Sequence, residues 1–235
     1  SLVPFAVDRA AAERGFRAWL AARWLCPSDL AVAATLHELR GVYIPYWTFD
    51  AWVSSSWTAQ AGHDYQEQEH YWGKDANGNN VQMTRTVTKT RWQPAWGSRQ
   101  DHHDDVLVCA GRGLPEALVQ QLHGFELSQL RPYDPGFLSG WRAEEYAVDL
   151  NQGWSQGYKR IESTQQQRCH NDVRADRVQN LNVVNQFAQE KFKHILLPIW
   201  IASYRYNDKV FRFLINGQNG QVQGEAPYSW VKIFF

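Results

Sequence analysis

The sequence predicts an α+β chain: antiparallel sheets from two related β units, about 42–92 and 178–222, with helices at the N-terminus and in the middle. Three observations lead there. VYIPYWTFDAWV (Val42 to Val53) and ILLPIWIASYRY (Ile195 to Tyr206) each set a proline two residues before a tryptophan, at Pro45/Trp47 and Pro198/Trp200. Each run is followed by an Asn-Gly turn signal, at Asn77-Gly78 and Asn216-Gly217. Strand-like stretches lie toward both ends with helical spacing between them, the arrangement of an α+β fold. The expected organisation is a single domain over 1–235 with an internal pseudo-repeat, 42–110 and 178–235.

The elements follow in order. Asp8 is placed to cap a helix running to about Trp24, with Phe16, Trp19, Leu20 and Trp24 on one face. Pro27-Ser28-Asp29 restarts a shorter helix carrying Leu30, Ala33, Ala34 and His37, and Gly41 ends it. Val42 to about Trp57 is a strand in which Pro45, lacking a ladder donor, belongs on an edge or at a bulge. Gln60 to His70 reads as a loop or weaker strand. Tyr71-Trp72, a turn at 75–78 and Val81 to Trp92 form a hairpin. Pro94 to Asp105 reads as a loop and Val106 to Ala110 as a short buried strand. Pro115 opens a helix to about His123. The longest helix is expected from Trp141 to about Asn171, with Tyr146, Leu150, Trp154, Tyr158 and Ile161 as its stripe. Gly153 and Gly157 inside it would let a strand approach closely. Strands at Val178 to Phe192, Ile195 to Tyr206 and Lys209 to Ile215 close the chain, the last two joined by a turn at Asn207-Asp208.

Composition narrows the function classes. Apolar residues make up 44% of 235, enough for a sizeable core. Lys plus Arg equals Asp plus Glu at 24 each, which argues against a dedicated nucleic-acid grip. A local patch at Arg85, Lys89 and Arg91 keeps a nucleic-acid accessory role as an alternative. Cys26, Cys109 and Cys169 are too few and too scattered for a disulfide framework, and their thiols should be buried. No apolar run approaches the ~20 residues of a membrane span. Residue 1 is Ser and the chain stops within the apolar run Val231 to Phe235, so it is expected to be a piece of a longer protein.

Catalytic signatures are scarce. Asp101-His102-His103-Asp104-Asp105 is the most ligand-like cluster and supports a metal-assisted hydrolase as an alternative. Neighbours in an extended chain point opposite ways, so two or three of the five at most would converge. His63 and His70 lack the H-E-x-x-H spacing, and no G-x-S-x-G or phosphate loop occurs. The twelve tryptophans are mainly packing anchors, and Trp52, Trp57, Trp72, Trp92 and Trp96 are the candidate partner-binding set.

The order GVYIPYWTFDAWV, RWQPAWG, HDDVLVCAG, LRPYDPGFLSGWRAEEYAVDL, KHILLPIWIASYRY and VFRFLINGQNGQVQGEAPYSWVKI resembles a family of bacterial membrane proteins. Its members are described as TFIIB-type zinc-ribbon or primosomal-helicase-like proteins. The resemblance implies a cysteine-rich ribbon before Leu2 and membrane helices after Ile233. It implies zinc only in that ribbon, with no cofactor in this segment. It further implies a place at the cytoplasmic face of the bacterial inner membrane, among membrane-associated proteins and band-7-type scaffolds. The chain departs from the pattern at Cys169-His170-Asn171-Asp172, where relatives carry a glycine-rich acidic turn. The family supplies no catalytic residue to carry over, so the expected function is a non-catalytic interaction module.

Overall fold

A computed structural model describes residues 1–27, 29–30, 34–74 and 76–227. In chain order these form α1 (Arg9–Ala21), β1 (Thr35–Lys74), β2 (Asn80–Cys109), α2 (Glu116–Gln121), β3 (Arg142–Ala143), α3 (Leu150–Asp172), β4 (Arg177–Tyr206), β5 (Lys209–Asn216) and β6 (Val222–Gly224). The strands make one six-stranded sheet ordered β2-β1-β4-β5-β6, with β3 beside β1. β4/β5 and β5/β6 pair antiparallel, whereas the short β3 runs parallel to β1. The chain is α+β. It divides into two compact units. Unit 1 holds 1–49, 105–157 and 191–235, and unit 2 holds 50–104 and 158–190.

Unit 1 is a sheet covered on both faces. Side chains alternate along a strand, so one β4/β5 ladder feeds two cores. Trp200, Ala202 and Tyr204 with Phe213 and Ile215 pack against Ala12, Phe16 and Leu20 of α1. Leu197 and Ile199 with Leu214 face Leu118, Val119 and Leu122 at α2. Asp8 caps α1 by accepting from the Ala11 N–H, as the sequence predicts. Trp24, expected on the same apolar face, lies beyond the last turn and is 73% exposed. Asn207 and Asp208 take left-handed φ of 46° and 61° and turn β4 into β5. Two-residue hairpins want that geometry, and Asn and Asp tolerate it best after glycine.

Several expectations need correction. The second helix does not extend to Gly41. Ser28 and 31–33 lie outside the described residues, and from Thr35 the chain is already strand β1. Leu39 enters the α1-side core while Glu38 and Arg40 on either side of it are exposed, a strand's alternation. Gly41 is no helix terminator. Its missing Cβ makes room for the Trp141 ring, which stacks on Phe5 at 3.9 Å. Trp141 therefore closes over the strand instead of opening the long helix, which begins at Leu150. The stretch 60–70, read as a loop or weaker strand, is strand within β1, and 94–105, read as a loop, lies within β2. They looked irregular because both faces of these stretches carry polar residues.

Pro45 sits in the interior of the sheet, not at its edge, for a local reason. An extended residue aims its N and its C=O to the same side. The Pro45 carbonyl accepts from Ala110 N, the first residue past the end of β2. The missing donor thus falls where the neighbouring strand runs out. Pro198 repeats this, accepting from Gly217 N just past the end of β5. Two residues on, each tryptophan spends its indole N–H on a backbone carbonyl. Trp47 donates to Val148 and Trp200 to Val7, both at 2.9 Å.

The α3 line facing inward is not the expected aromatic stripe. It runs Gly153, Gly157, Ile161, Gln165, Cys169, with Trp154 and Tyr158 half-buried beside it and Tyr146 59% exposed. The two glycines do permit close approach. A Cβ on Gly153 would lie 2.7 Å from Trp47 Cδ1, and one on Gly157 2.7 Å from Phe49 Cδ2. Cys26 and Cys169 are buried and Cys109 half-buried, with no disulfide among the three.

Candidate functional site

Unit 2 is built from parts of β1, β2 and β4, with Tyr158 to Asp172 of α3 on one face. In β1 the odd residues 51–61 are buried while Trp52, Ser54, Ser56 and Thr58 are exposed. β2 follows suit, with Ala95, Gly97, Arg99 and Asp101 half-buried and Trp96, Ser98, Gln100 and His102 exposed. The helix-side face is only partly apolar. Trp57, Ala59, Ala61, Cys169 and Val173 form its cluster. Next to it, Gln165 Nε2 donates to Ser55 Oγ at 2.8 Å, and Ser55 donates on to Asn185 Oδ1 at 2.6 Å. Asp101 accepts from Arg99 Nε at 2.6 Å and pairs with Arg168 at 2.8 Å, while Arg99 also reaches Asp172 at 2.7 Å.

The Arg99 guanidinium, opposed in part by burial, holds the Asp101 carboxyl down at about 2 from its ordinary 3.8. A depressed carboxyl stabilises the fold above its unfolded pKa and ceases to do so as pH falls through the folded value. The stability gap between the native chain and Asp101→Asn should therefore be full above about pH 4 and close toward about pH 2. Thermal melts of both proteins across that window check this. A constant gap would mean that Asp101 acts through packing alone. Burial likewise lowers the His103 pKa, so this imidazole is neutral at physiological pH. Its Nε2, Gln165 Oε1 and Trp57 Nε1 are buried without a hydrogen-bond partner among the described residues.

The opposite face of the unit 2 sheet is open. β1 is hydrogen-bonded to β2 on one side and β4 on the other, yet Trp52 remains 39% exposed. Trp96 on β2 is 76% exposed and Val184 on β4 54%. Along 52–60, 94–102 and 182–188 the outward, even-numbered positions carry Trp, Ser, Thr, Gln, Asn, Pro, Val, Ala and one His, but no Lys, Arg, Asp or Glu. Thr58, Gln60, Pro94, Trp96 and Asn180 line a shallow depression of about 300 Å³ in this surface.

Of the five candidate tryptophans, Trp52 and Trp96 share this face. Trp57 does not: at 7% exposed it belongs to the helix-side cluster. Its odd position in a strand whose even positions face outward explains why. Trp72 is 74% exposed near the end of β1, and Trp92 is 36% exposed beside Gly62. The ligand-like pentad is split. Asp101 and His103 face the helix, whereas His102 lies against Trp52 at 4.9 Å between ring centres. Asp104 comes within 4.8 Å of Asp50, and Asp105, in unit 1, pairs with Lys193 at 3.3 Å. The basic trio is engaged locally. Arg85 pairs with Glu69, Lys89 with Glu67 and Glu69, and Arg91 lies 5.3 Å from the Tyr65 ring centre.

The chain is 25% identical over 244 residues to "Uncharacterized protein YdjG" of Bacillus subtilis (strain 168), covering 99% of this chain. It spans 64% of that relative's length. No family model matches the chain, and no solved structure matches it. Among the described residues no helix is long and apolar enough to cross a membrane.

The buried polar bed went unnoticed in the sequence, although two signals pointed to it. Arg99 and Asp101 are two apart in an extended segment and so share a face. Gln165 falls midway between Ile161 and Cys169 at four-residue spacing, which places an amide on the buried line.

Proposed function

We propose that the chain is a non-catalytic interaction module whose working surface is the open face of the unit 2 sheet. One observation carries this reading: a strand with neighbours on both sides leaves a tryptophan and a row of hydroxyl and amide side chains in solvent, with no ionised group among them. Exposed aromatics set among neutral hydrogen-bonding groups are the composition of adaptable protein contact surfaces. The partners proposed are membrane-associated proteins of the band-7 scaffold type at the cytoplasmic face of a bacterial inner membrane. A zinc ribbon and membrane helices elsewhere in the full protein would hold the module there. The greater length of the Bacillus relative is compatible with such additional segments. We also read the two Pro–Trp strands as equivalent halves of a duplicated unit. The matching roles of Pro45 and Pro198, and of Trp47 and Trp200, support this.

A photo-crosslinking amino acid placed at Ser56 tests the proposal in cells, with Arg9 on α1 as the control site. The expected result is an adduct with a membrane-associated scaffold protein from position 56 that is absent from position 9. Trp52→Ala with Trp96→Ala should abolish that adduct while shifting stability by no more than about 1 kcal/mol, as exposed substitutions do. No adduct at position 56, or one indifferent to both tryptophans, would overturn the reading.

A further inference from the structure

Unit 1 holds a cavity that the open face does not involve. It measures about 380 Å³ and lies on the sheet face that carries the α2-side core. Its floor is apolar, with Val42, Ile201 and Leu214, and its wall includes Leu114 and Pro115. Three arginines, Arg40, Arg142 and Arg212, line it. The ladders alone bring them together. Arg142 pairs in parallel with Val42, so it shares a face with Val42 and with Arg40 two residues earlier. Leu214 stands opposite Ile201 and Arg212 opposite Ser203, which puts Arg212 on that same face two residues from Leu214.

The charges do not cancel. Glu38 is the one carboxylate among the lining residues and lies 2.6 Å from Arg40. Neither Arg142 nor Arg212 has an ion pair among the described residues. Glu144 and Glu225 are not among the lining residues and hold backbone donors. Glu144 accepts from Arg112 N and Gly113 N at 2.8 Å each, and Glu225 accepts from Arg212 N at 3.1 Å. Among its lining residues the cavity therefore carries two more guanidinium groups than carboxylates, over an apolar floor. Guanidinium forks bind phosphate oxygens bidentately. A surplus of two positive charges matches the roughly −1.5 to −2 charge of a phosphate monoester at neutral pH better than it matches a monocarboxylate. The volume lies in the range of small-molecule sites.

We infer that this cavity binds a phosphate monoester of an apolar alcohol, with Arg142 and Arg212 on the phosphate and Val42, Ile201 and Leu214 beneath the hydrocarbon. Calorimetric titration with hexyl phosphate tests it, beside inorganic phosphate, hexanoate and hexylamine. Hexyl phosphate should bind with Kd below about 1 mM. Inorganic phosphate, lacking the apolar body, and hexanoate, with half the charge, should each bind at least about tenfold more weakly. Hexylamine should not bind. The double substitution Arg142→Ala/Arg212→Ala should weaken hexyl phosphate by at least about 20-fold at unchanged melting temperature. Ser203→Glu, which sets a carboxylate opposite Arg212 without removing either arginine, should do the same and serves if the double variant fails to fold. Absence of hexyl phosphate binding at several millimolar, or equal binding by the variants, would refute the site. Hexanoate binding as tightly as hexyl phosphate would refute the phosphate assignment.

Discussion

Trp200→Ala is expected to destabilise the protein by about 3–5 kcal/mol, among the largest effects of any single truncation in the chain. The side chain is 5% exposed and lies in the α1-side core. Phe5 and Trp141 meet its ring edge-on, each at 5.5 Å between centres. Truncation would leave a void where three aromatic rings converge and strand the Val7 carbonyl that the indole N–H now satisfies. Trp200→Phe separates the two contributions. It refills most of the void and still loses the hydrogen bond, so it should cost only about 1–2 kcal/mol. Trp47→Ala should cost less than Trp200→Ala, because Trp47 makes the same kind of bond from a half-buried position. Urea denaturation followed by far-UV circular dichroism measures all three, since twelve tryptophans blur any fluorescence readout. A Trp200→Ala protein within about 1 kcal/mol of the native chain would show that the ring cluster is not an anchor of this core.

Gly157→Val should be the second large loss, at about 2–4 kcal/mol. Helix propensity alone would favour almost any replacement of an interior helical glycine, by up to about 1 kcal/mol. Here propensity is outweighed. The new Cβ would stand 2.7 Å from Phe49 Cδ2, and Phe49 is 1% exposed with its ring set edge-on to Trp154 at 5.2 Å. Phe49 has no room to retreat, so the helix must lift away and its neighbouring contacts loosen with it. Gly157→Ala should be milder but still unfavourable. Combining Gly157→Ala with Phe49→Leu relieves the clash, so the double variant should lose less than the two single losses added together. Additive losses in the same denaturation experiment would show that the glycine matters through backbone conformation, not close approach.

The sequence was most legible where one residue decides the backbone alone. Asp8 offers a side-chain oxygen at a helix start, and Asn207-Asp208 accept left-handed φ, so both boundaries were readable without any tertiary knowledge. It was least legible where tertiary pairing sets the outcome. Arg99 and Asp101 look like loop residues until Arg168 and Asp172 arrive from a distant helix to neutralise them. Pro45 argues against an interior strand until one knows that β2 stops at Cys109. Trp57 and Trp96 are equally aromatic in sequence, and only the register of the alternation sends one into the core and the other into solvent. The Asp101 to Asp105 run was expected to let two or three of its five members converge at most, and alternation does send Asp101 and His103 to one face and His102 to the other.

The sheet order carries a last consequence, for how such a molecule avoids polymerising. β2 is 30 residues long and lies at one end of the sheet, so its outer rim of amide and carbonyl groups is a template for strands from other copies. Two features of the strand spoil that template. Pro94 has no backbone donor to offer, and the left-handed kink at Asp105 (φ 53°) bends the rim out of register. Fibril formation by edge-to-edge stacking is thereby discouraged along the very strand that a bare hydrogen-bonding pattern would leave most vulnerable to it.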